Sequence, residues 1–343
     1  MKNLDYLVSK PHEFILDEHL FRITREDLVK LARMGELVNK FLIATTEVQD
    51  GFLLKSLSAT LNETYLEAGT THLHIPPRLV RVDVMADKDG NWKIAEIDPS
   101  NKHGLGFALA CRNESGAGER QKLLTLLAQY VTDDVHIFLG RKESFYAREK
   151  KYFAQKLTEF TGRRVKVFSE EQLEAQKFPE NGIFLDFPLC GEKASRMLLS
   201  RWKERPDSFI NPPRHGLGSK AVMALPFLDQ YLFKNYGSMS SEELDELKKF
   251  IPPTYNGPFV TKEVFSSGAK GVYFDAIGKE TVVQKYVKQK TFPLADADRF
   301  IRLAVHLVNG KLAELTVTAS KNLPVHGGNG VVNYHVGLKE DIG

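Results

Sequence analysis

Three acidic residues carry the first chemical suggestion in this chain. Asp83, Glu96 and Asp98 stand in RVDVMADKDGNWKIAEID, which runs from Arg81 to Asp98. RVDVM and WKIAEID alternate as strands do, and DKDGN between them is a turn signal, so the stretch predicts a hairpin. Glu96 and Asp98 are two apart and leave the same face of their strand, where Asp83 can lie across from them. Carboxylates on a rigid sheet face suit Mg²⁺, which shares its shell between a few carboxylates and substrate phosphates. Arg81, on the face of Asp83, could touch a phosphate. A solvated outer face of an ordinary hairpin would carry the same residues.

Other residues could serve the same chemistry. Lys262 sits in FVTKEV, a predicted strand, ahead of the small-residue loop Ser266, Ser267, Gly268, Ala269, Lys270, Gly271. Such a loop can turn backbone N–H groups toward phosphates, although a plain hairpin loop has the same composition. TVVQKYV ends in Gln284, Lys285, Tyr286 and Val287 and could offer a backbone edge to a purine, or be simply a buried strand. Lys220 stands at a predicted helix start, where a cation is mildly unfavourable unless an anion is near; an ordinary surface lysine is the plain alternative. Arg299, Arg302, Lys321, Asn322, His326, the GGNG loop and Asn333 could orient a polar substrate at a β edge, or line a solvated sheet face. His72, His74 and His103 show no paired metal spacing. Cys111 and Cys190 make neither a disulfide framework nor a zinc site and read as small buried hydrophobes. There is no nucleophile elbow, no Walker lysine and no GxGxxG fingerprint.

The elements that must position these groups follow from the pattern. ITREDLVKLARMGELVNKFLIATTEV has a helical apolar period, with Thr24 as N-cap and Asp27 completing a partial capping box. FLLKSLSATLNETYLEA predicts a second helix, PSNKHGLGF a polar loop, and Ala117–Tyr130 a further helix. From Asp134 to Pro213 strands alternate with helices: VHIFLG, a helix closing on Gly162, RRVKVFS, a helix start at SEEQLEAQ, GIFLDFP, ASRMLLSRWKE and SFINPP. That alternation predicts a small parallel α/β unit. LGSKAVMALPFLDQYLF and SSEELDELKKFI predict helices. From Pro258 the texture is β again, and Asn309–Gly310 is a type I′ hairpin signal.

At 343 residues the chain is too long for one simple core, and two or three sub-domains are expected. Basic and acidic residues nearly balance, 47 against 44, which argues against nucleic acid or a membrane surface as partner. The N-terminus lacks an apolar signal core and no run reaches membrane-spanning length, so a reducing cytoplasm is the expected compartment.

Taken together, these features resemble the ATP-grasp enzymes in a circularly permuted order. The family's Arg-x-Asp strand followed by a Glu-x-Asn strand is matched by Arg81-Val-Asp83 and Glu96-Ile-Asp98, thirteen residues from Asp83 to Glu96 as in D-alanine–D-alanine ligases. Here that motif comes first. Lys220, IPPT (Ile251–Thr254), Lys262 with its loop, and the QKYV hinge come after it, an order similar to glutathionylspermidine-synthase-like proteins. The resemblance covers roughly residues 70–110 and 210–335, with the α/β unit between them matching the family's pre-ATP-grasp domain. It implies an α/β (α+β) fold in three segments. Residues 1–130 would hold N-terminal helices and the metal-binding hairpin. Residues 131–213 would form the inserted unit, and 214–343 the phosphate-binding helix, the lid and the remaining core sheet.

The resemblance implies a carboxylate–amine ligase using ATP and Mg²⁺, with small-molecule substrates such as an amino acid, peptide or polyamine. A small-molecule phosphotransferase and a non-catalytic nucleotide-binding module are the alternatives. Asp83, Glu96 and Asp98 would hold the metal, and Arg81 would steady a phosphate or acyl phosphate. Lys220 and Lys262 would bind phosphates, and Ser266, Ser267, Gly268 and Gly271 would close over them. Gln284, Lys285, Tyr286 and Val287 would line the adenine pocket, and Arg302 would meet the carboxylate or the transferred phosphoryl. The chain departs from the family pattern in three places. Asp98 replaces the usual Asn, Gln284 stands where many members are acidic, and KQKTFPL after the hinge lacks the usual ribose-binding Glu.

Overall fold

The computed structural model describes residues 1–8, 14–17, 19–47, 61–99, 103–115, 121–175, 179, 181–228, 238–253, 259–263, 272–274, 281–285, 287–294, 297–325 and 331–339. Thr254, Ser266, Ser267, Gly268, Gly271, Tyr286, His326 and the GGNG loop lie outside the described residues.

Short strands β1 (Lys2–Asn3), β2 (Ile15–Leu16) and β3 (Phe21–Ile23) lead into helix α1 (Arg25–Glu47). The cap is reciprocal, as the sequence predicts: Asp27 N–H donates to Thr24 Oγ1 at 3.0 Å, and Thr24 N–H donates to Asp27 Oδ2 at 3.2 Å. Leu31, Met34, Val38 and Phe41 recur at helical spacing and are fully buried. Helix α2 (Glu63–Thr70) corrects the second predicted helix: Asn62, inside the span expected to be helical, is extended and caps a helix that starts only at Glu63, its side chain accepting from Tyr65 N–H. Strands β4 (Leu79–Ala86) and β5 (Trp92–Asp98) form the predicted hairpin.

Helices α3 (Leu105–Glu114) and α4 (Lys122–Ala128) come next. Here the sequence reading needs correcting, because α3 begins inside the segment expected to be loop. No residue next to it in sequence caps it. Gly104 enters the helix at φ 107, and the Glu149 carboxylate, from elsewhere in the chain, accepts from Gly104 N–H and Gly106 N–H. A cap supplied from a distance leaves no local signal.

The parallel unit is present. Strand β6 (Val135–Leu139), helix α5 (Ala147–Thr161), strand β7 (Val165–Ser169), helix α6 (Glu170–Ala175), strand β8 (Ile183–Phe184) and helix α7 (Glu192–Glu204) build a three-stranded parallel sheet, ordered β7-β6-β8. Gly162 ends α5 in the left-handed conformation. The strand expected through GIFLDFP is confined to Ile183–Phe184, and SFINPP adds only the bridge between Phe184 and Phe209. Pro188, Pro212 and Pro213 offer no N–H to extend either pairing.

The segment around Lys220 also differs from the single helix expected. It forms 3-10 turns at His215–Gly218 and Lys220–Ala224, then the short helix α8 (Leu225–Leu228). Pro226 has no N–H to donate to the preceding turn, so the α-helix does not extend back from it and begins at Leu225, with Pro226 in its first turn. Helix α9 (Ser241–Lys248) carries the full capping box of Ser240 and Glu243.

Strands β9 (Phe259–Glu263), β10 (Val272–Phe274) and β11 (Thr281–Lys285) form an antiparallel sheet ordered β10-β9-β11. Strands β12 (Thr291–Leu294), β13 (Ala297–Val308), β14 (Lys311–Ser320) and β15 (Val332–Leu338) complete a nine-stranded mixed sheet. Its main path is β1-β2-β15-β14-β13-β4-β5. Asn309 and Gly310 both have positive φ, 49° and 73°, as the type I′ turn between β13 and β14 requires. One face of this sheet packs on α1 and α9 through a large apolar core. The other face meets α3 and α4. Among the described residues no helix is long and apolar enough to cross a membrane.

Candidate functional site

The site is built by strand alternation and one irregularity. On β4, Val80, Val82 and Val84 enter the apolar core, so Arg81 and Asp83 leave by the opposite face. On β5, Ile94 and Ile97 both enter that core although they are three apart. Strict alternation forbids this. The register explains it: Asp83 pairs with Glu96 but Val84 pairs with Ile94, which makes Ala95 the extra residue of a β-bulge. The bulge shifts the pattern by one and turns Glu96 and Asp98 toward Asp83 and Arg81. Next door on β13, Ile301, Leu303, Val305 and Leu307 face the core, while Ala304 pairs with Asp83 and His306 with Arg81. Arg302 and His306 therefore join the same charged face.

Its charges are closely balanced. Arg81 Nε lies 3.0 Å from Asp83 Oδ1, and Arg81 Nη2 lies 3.8 Å from Asp98 Oδ2. Arg81 Nη1 donates to the His103 carbonyl at 2.9 Å. Arg302 Nη1 stands 3.6 Å from Asp83 Oδ2. Burial alone would raise the Asp83 carboxyl, but Arg81 and Arg302 outweigh it and hold it below the usual carboxylate range. Glu96 goes the other way. Burial and then the Asp83 charge push its carboxyl up, against the pull of Arg81 and Lys220. Burial and the neighbouring Arg81 guanidinium push the His306 imidazole down to about 3, so it is a neutral wall of the site at pH 7.

Lys220 is buried, and its charge acts on Glu96. Its 3-10 turn packs beside β5 and β11. The structure thus brings Lys220 to the acidic hairpin although the two are far apart in sequence. Lys262 lies on β9, the central strand of its sheet, in register with Val272 and Val282. Gln284 and Lys285 end β11, and Val287 begins the connection to the large sheet. That connection runs beside the hairpin: Lys290 N–H donates to Ala86 O at 3.1 Å, and Gln289 bridges Asp87.

A divalent cation finds suitable donor chemistry here. Three carboxylates share one face, Asp83 buried and Glu96 and Asp98 half-buried, and Glu96 is raised by desolvation and then by the charge of Asp83. The arrangement is not a finished cage. Among the described residues, no three acidic, histidine or cysteine side chains converge closely enough to hold a metal ion. Asp83 is committed to Arg81 and Arg302, and Asp98 faces Arg81.

The architecture has a counterpart among solved structures. A glutathione synthetase-like effector from Globodera pallida, in its apo form, matches with a TM-score of 0.59. The match covers 98% of this chain and 93% of that one, at 11% sequence identity. At that identity the likeness is one of fold: a mixed α/β architecture with a large mixed sheet. No family model matches the sequence, and no curated protein matches it.

Several residues at the site escape sequence reasoning. His306 is four after Arg302 on an alternating strand, and that spacing alone would have placed it. His103 stacks on Tyr146 with ring centroids 3.8 Å apart and planes 13° apart. Tyr146 and Glu149 come from the small parallel unit, and nothing in their local sequence ties them to the hairpin. Cys111 is buried, and burial followed by the charge of Glu314 pushes its thiol up to about 12, in keeping with a small packed side chain.

Proposed function

We propose that this chain is an ATP-dependent carboxylate–amine ligase that forms an amide through an acyl phosphate. One observation carries the reading: the bulged hairpin and β13 gather Arg81, Asp83, Glu96, Asp98 and Arg302 on one face, within electrostatic reach of Lys220. A half-buried face mixing carboxylates with cations suits a nucleotide's phosphates and their counter-ion better than it suits a solvated sheet surface.

In this reading a substrate carboxylate oxygen attacks the γ-phosphorus and ADP leaves. An amine nitrogen then attacks the acyl carbon, inorganic phosphate leaves, and the amine gives up a proton. Arg81 and Arg302 would disperse charge on the transferring phosphoryl. Lys220 and Lys262 would bind the phosphates, and the loop with Ser266, Ser267, Gly268 and Gly271 would close over them. Gln284, Lys285, Tyr286 and Val287 would line the adenine pocket. Glu96, Asp83 and Asp98 would be the carboxylates for Mg²⁺, which would neutralise phosphate charge, but as they stand they do not converge on one ion, so phosphate oxygens would have to complete the shell. His306 is neutral at pH 7 and so gives the site polarity, not a proton.

The test is ADP release with pairs of amino acids and polyamines, with product analysis. Amide plus ADP supports the ligase. A stable phosphorylated product would make it a phosphotransferase. No ADP release, together with ATP-induced thermal stabilisation, would leave a nucleotide-binding module.

A further inference from the structure

The peptide unit joining His103 to Gly104 connects two parts of the molecule. Its carbonyl accepts from Arg81 Nη1 at 2.9 Å, and its N–H donates to Glu149 Oε1 at 3.0 Å. In a trans peptide these groups point in opposite directions. One peptide dipole therefore lies between a carboxylate and a guanidinium, aligned favourably with both. The same Oε1 accepts from Gly106 N–H at 2.8 Å, which caps α3. Glu149 itself is 1% exposed, and its Oε2 is buried with no hydrogen-bond partner.

From this geometry we propose that Glu149 is a positioning residue for Arg81: from the small parallel unit it fixes the 103–104 peptide, and through that peptide it sets where the guanidinium stands on the phosphate-handling face. The inference rests on the ligase reading for its catalytic consequence and on geometry alone for the relay. Two further features fit it. Gly104 holds φ 107, and a Cβ there would meet His306 Cε1 at 3.3 Å and Arg81 Nη1 at 3.7 Å, so the chain keeps glycine where the peptide turns toward both. The His103 ring, stacked on Tyr146, pins the peptide from its other side. Arg81 Nε and Nη2 face Asp83 and Asp98 as ion pairs, while Nη1 is set by the hydrogen bond of the relay. Coupled hydrogen bonds of this kind strengthen one another where water is excluded.

Glu149→Gln keeps an acceptor oxygen for both N–H groups; Glu149→Ala removes it. Relative to wild type, Glu149→Ala should lower kcat for ADP release about tenfold or more with KM for ATP within about twofold, and Glu149→Gln should stay within about threefold. Glu149→Ala added to Arg81→Ala should cost little beyond Arg81→Ala alone, because Glu149 acts through Arg81. Losses that multiply independently, or a Gln variant as poor as the Ala variant, overturn the proposal. If Glu149→Ala does not fold, Gly104→Ala breaks the same peptide from the other side and should show the same non-additivity with Arg81→Ala. If wild type releases no ADP, the ligase reading fails, and the relay is judged by NMR. The Arg81 Nε–H should exchange slowly in wild type and Glu149→Gln and faster in Glu149→Ala or Gly104→Ala; equal exchange sinks it.

Discussion

The two faces of the β4-β5-β13 sheet are made by alternate residues of the same strands, yet they answer to different physics. Val80, Val82, Val84, Ile94, Ile97, Leu303 and Val305 fill one side with apolar volume. Their requirement is packing, which tolerates exchange among residues of similar size. Arg81, Asp83, Glu96, Asp98, Arg302 and His306 fill the other side with charge and polarity. There Arg81 lies against Asp83 and Asp98, Arg302 stands near Asp83, and the charge of Lys220 acts on Glu96. The apolar face carries stability in proportion to area. The charged face costs desolvation, which its ion pairs offset only in part: Arg81 Nε, Asp83 Oδ1 and Arg302 Nε are buried and make no hydrogen bond. The expectation is a separation of effects: core substitutions should reduce stability with function following, whereas some charged-face substitutions should remove function and leave the fold standing.

The sharpest break of that contrast uses Glu96. Glu96→Gln is nearly isosteric and should cut ADP release by roughly a hundredfold or more while the melting temperature barely moves. A variant as active as wild type would remove Glu96 from the site. Asp83→Asn should behave differently although it faces Glu96 directly. It leaves Arg81 and Arg302 beside a neutral amide, and urea unfolding should show a loss of about 3 kcal/mol. A neutral effect on stability would mean that the arginines find other partners. On the opposite face, Leu303→Ala should cost about 2–5 kcal/mol through the cavity it leaves, with the KM for ATP of the folded fraction unchanged.

The smallest effect is a slope. The folded His306 value of about 3 lies below its ordinary 6.5, so the unfolded chain takes up the proton first as pH falls. The stabilisation tied to neutral His306 is complete above 6.5 and is lost as pH drops toward 3. His306→Gln should flatten the fall in stability across that window, measured by urea unfolding at several pH values. Asp83, depressed in the fold, loses its contribution at the acid end of the same range. Glu96, raised in the fold, does the reverse and weakens the fold as pH rises above the usual carboxylate value, so it partly masks the His306 slope.

The hairpin, the strand alternation of β13 and β14, the Asn309–Gly310 turn and the caps at Thr24 and Ser240 were legible because each depends on neighbours in sequence. The start of α3 was not, since its cap is Glu149, more than forty positions away by its own numbering. The turns around Lys220 were not legible, because an apolar period does not separate 3-10 turns from the short α-helix that starts at Leu225 with Pro226 in its first turn. The bulge at Ala95 was also invisible. The sequence shows that Glu96 and Asp98 share a face, but not that Ile97 shares one with Ile94.

Residue type and short-range spacing determined which groups this protein could use: three carboxylates in one hairpin, lysines and arginines further along, and the strands and helices to carry them. Only the tertiary structure decided which cations meet which acids. It put Arg81 between Asp83 and Asp98, set Lys220 against Glu96, and joined Glu149 to Arg81 through one peptide. Alternation and capping act over a few residues, while charge pairing acts across space, and burial then fixes the pairs by making every unmatched charge costly.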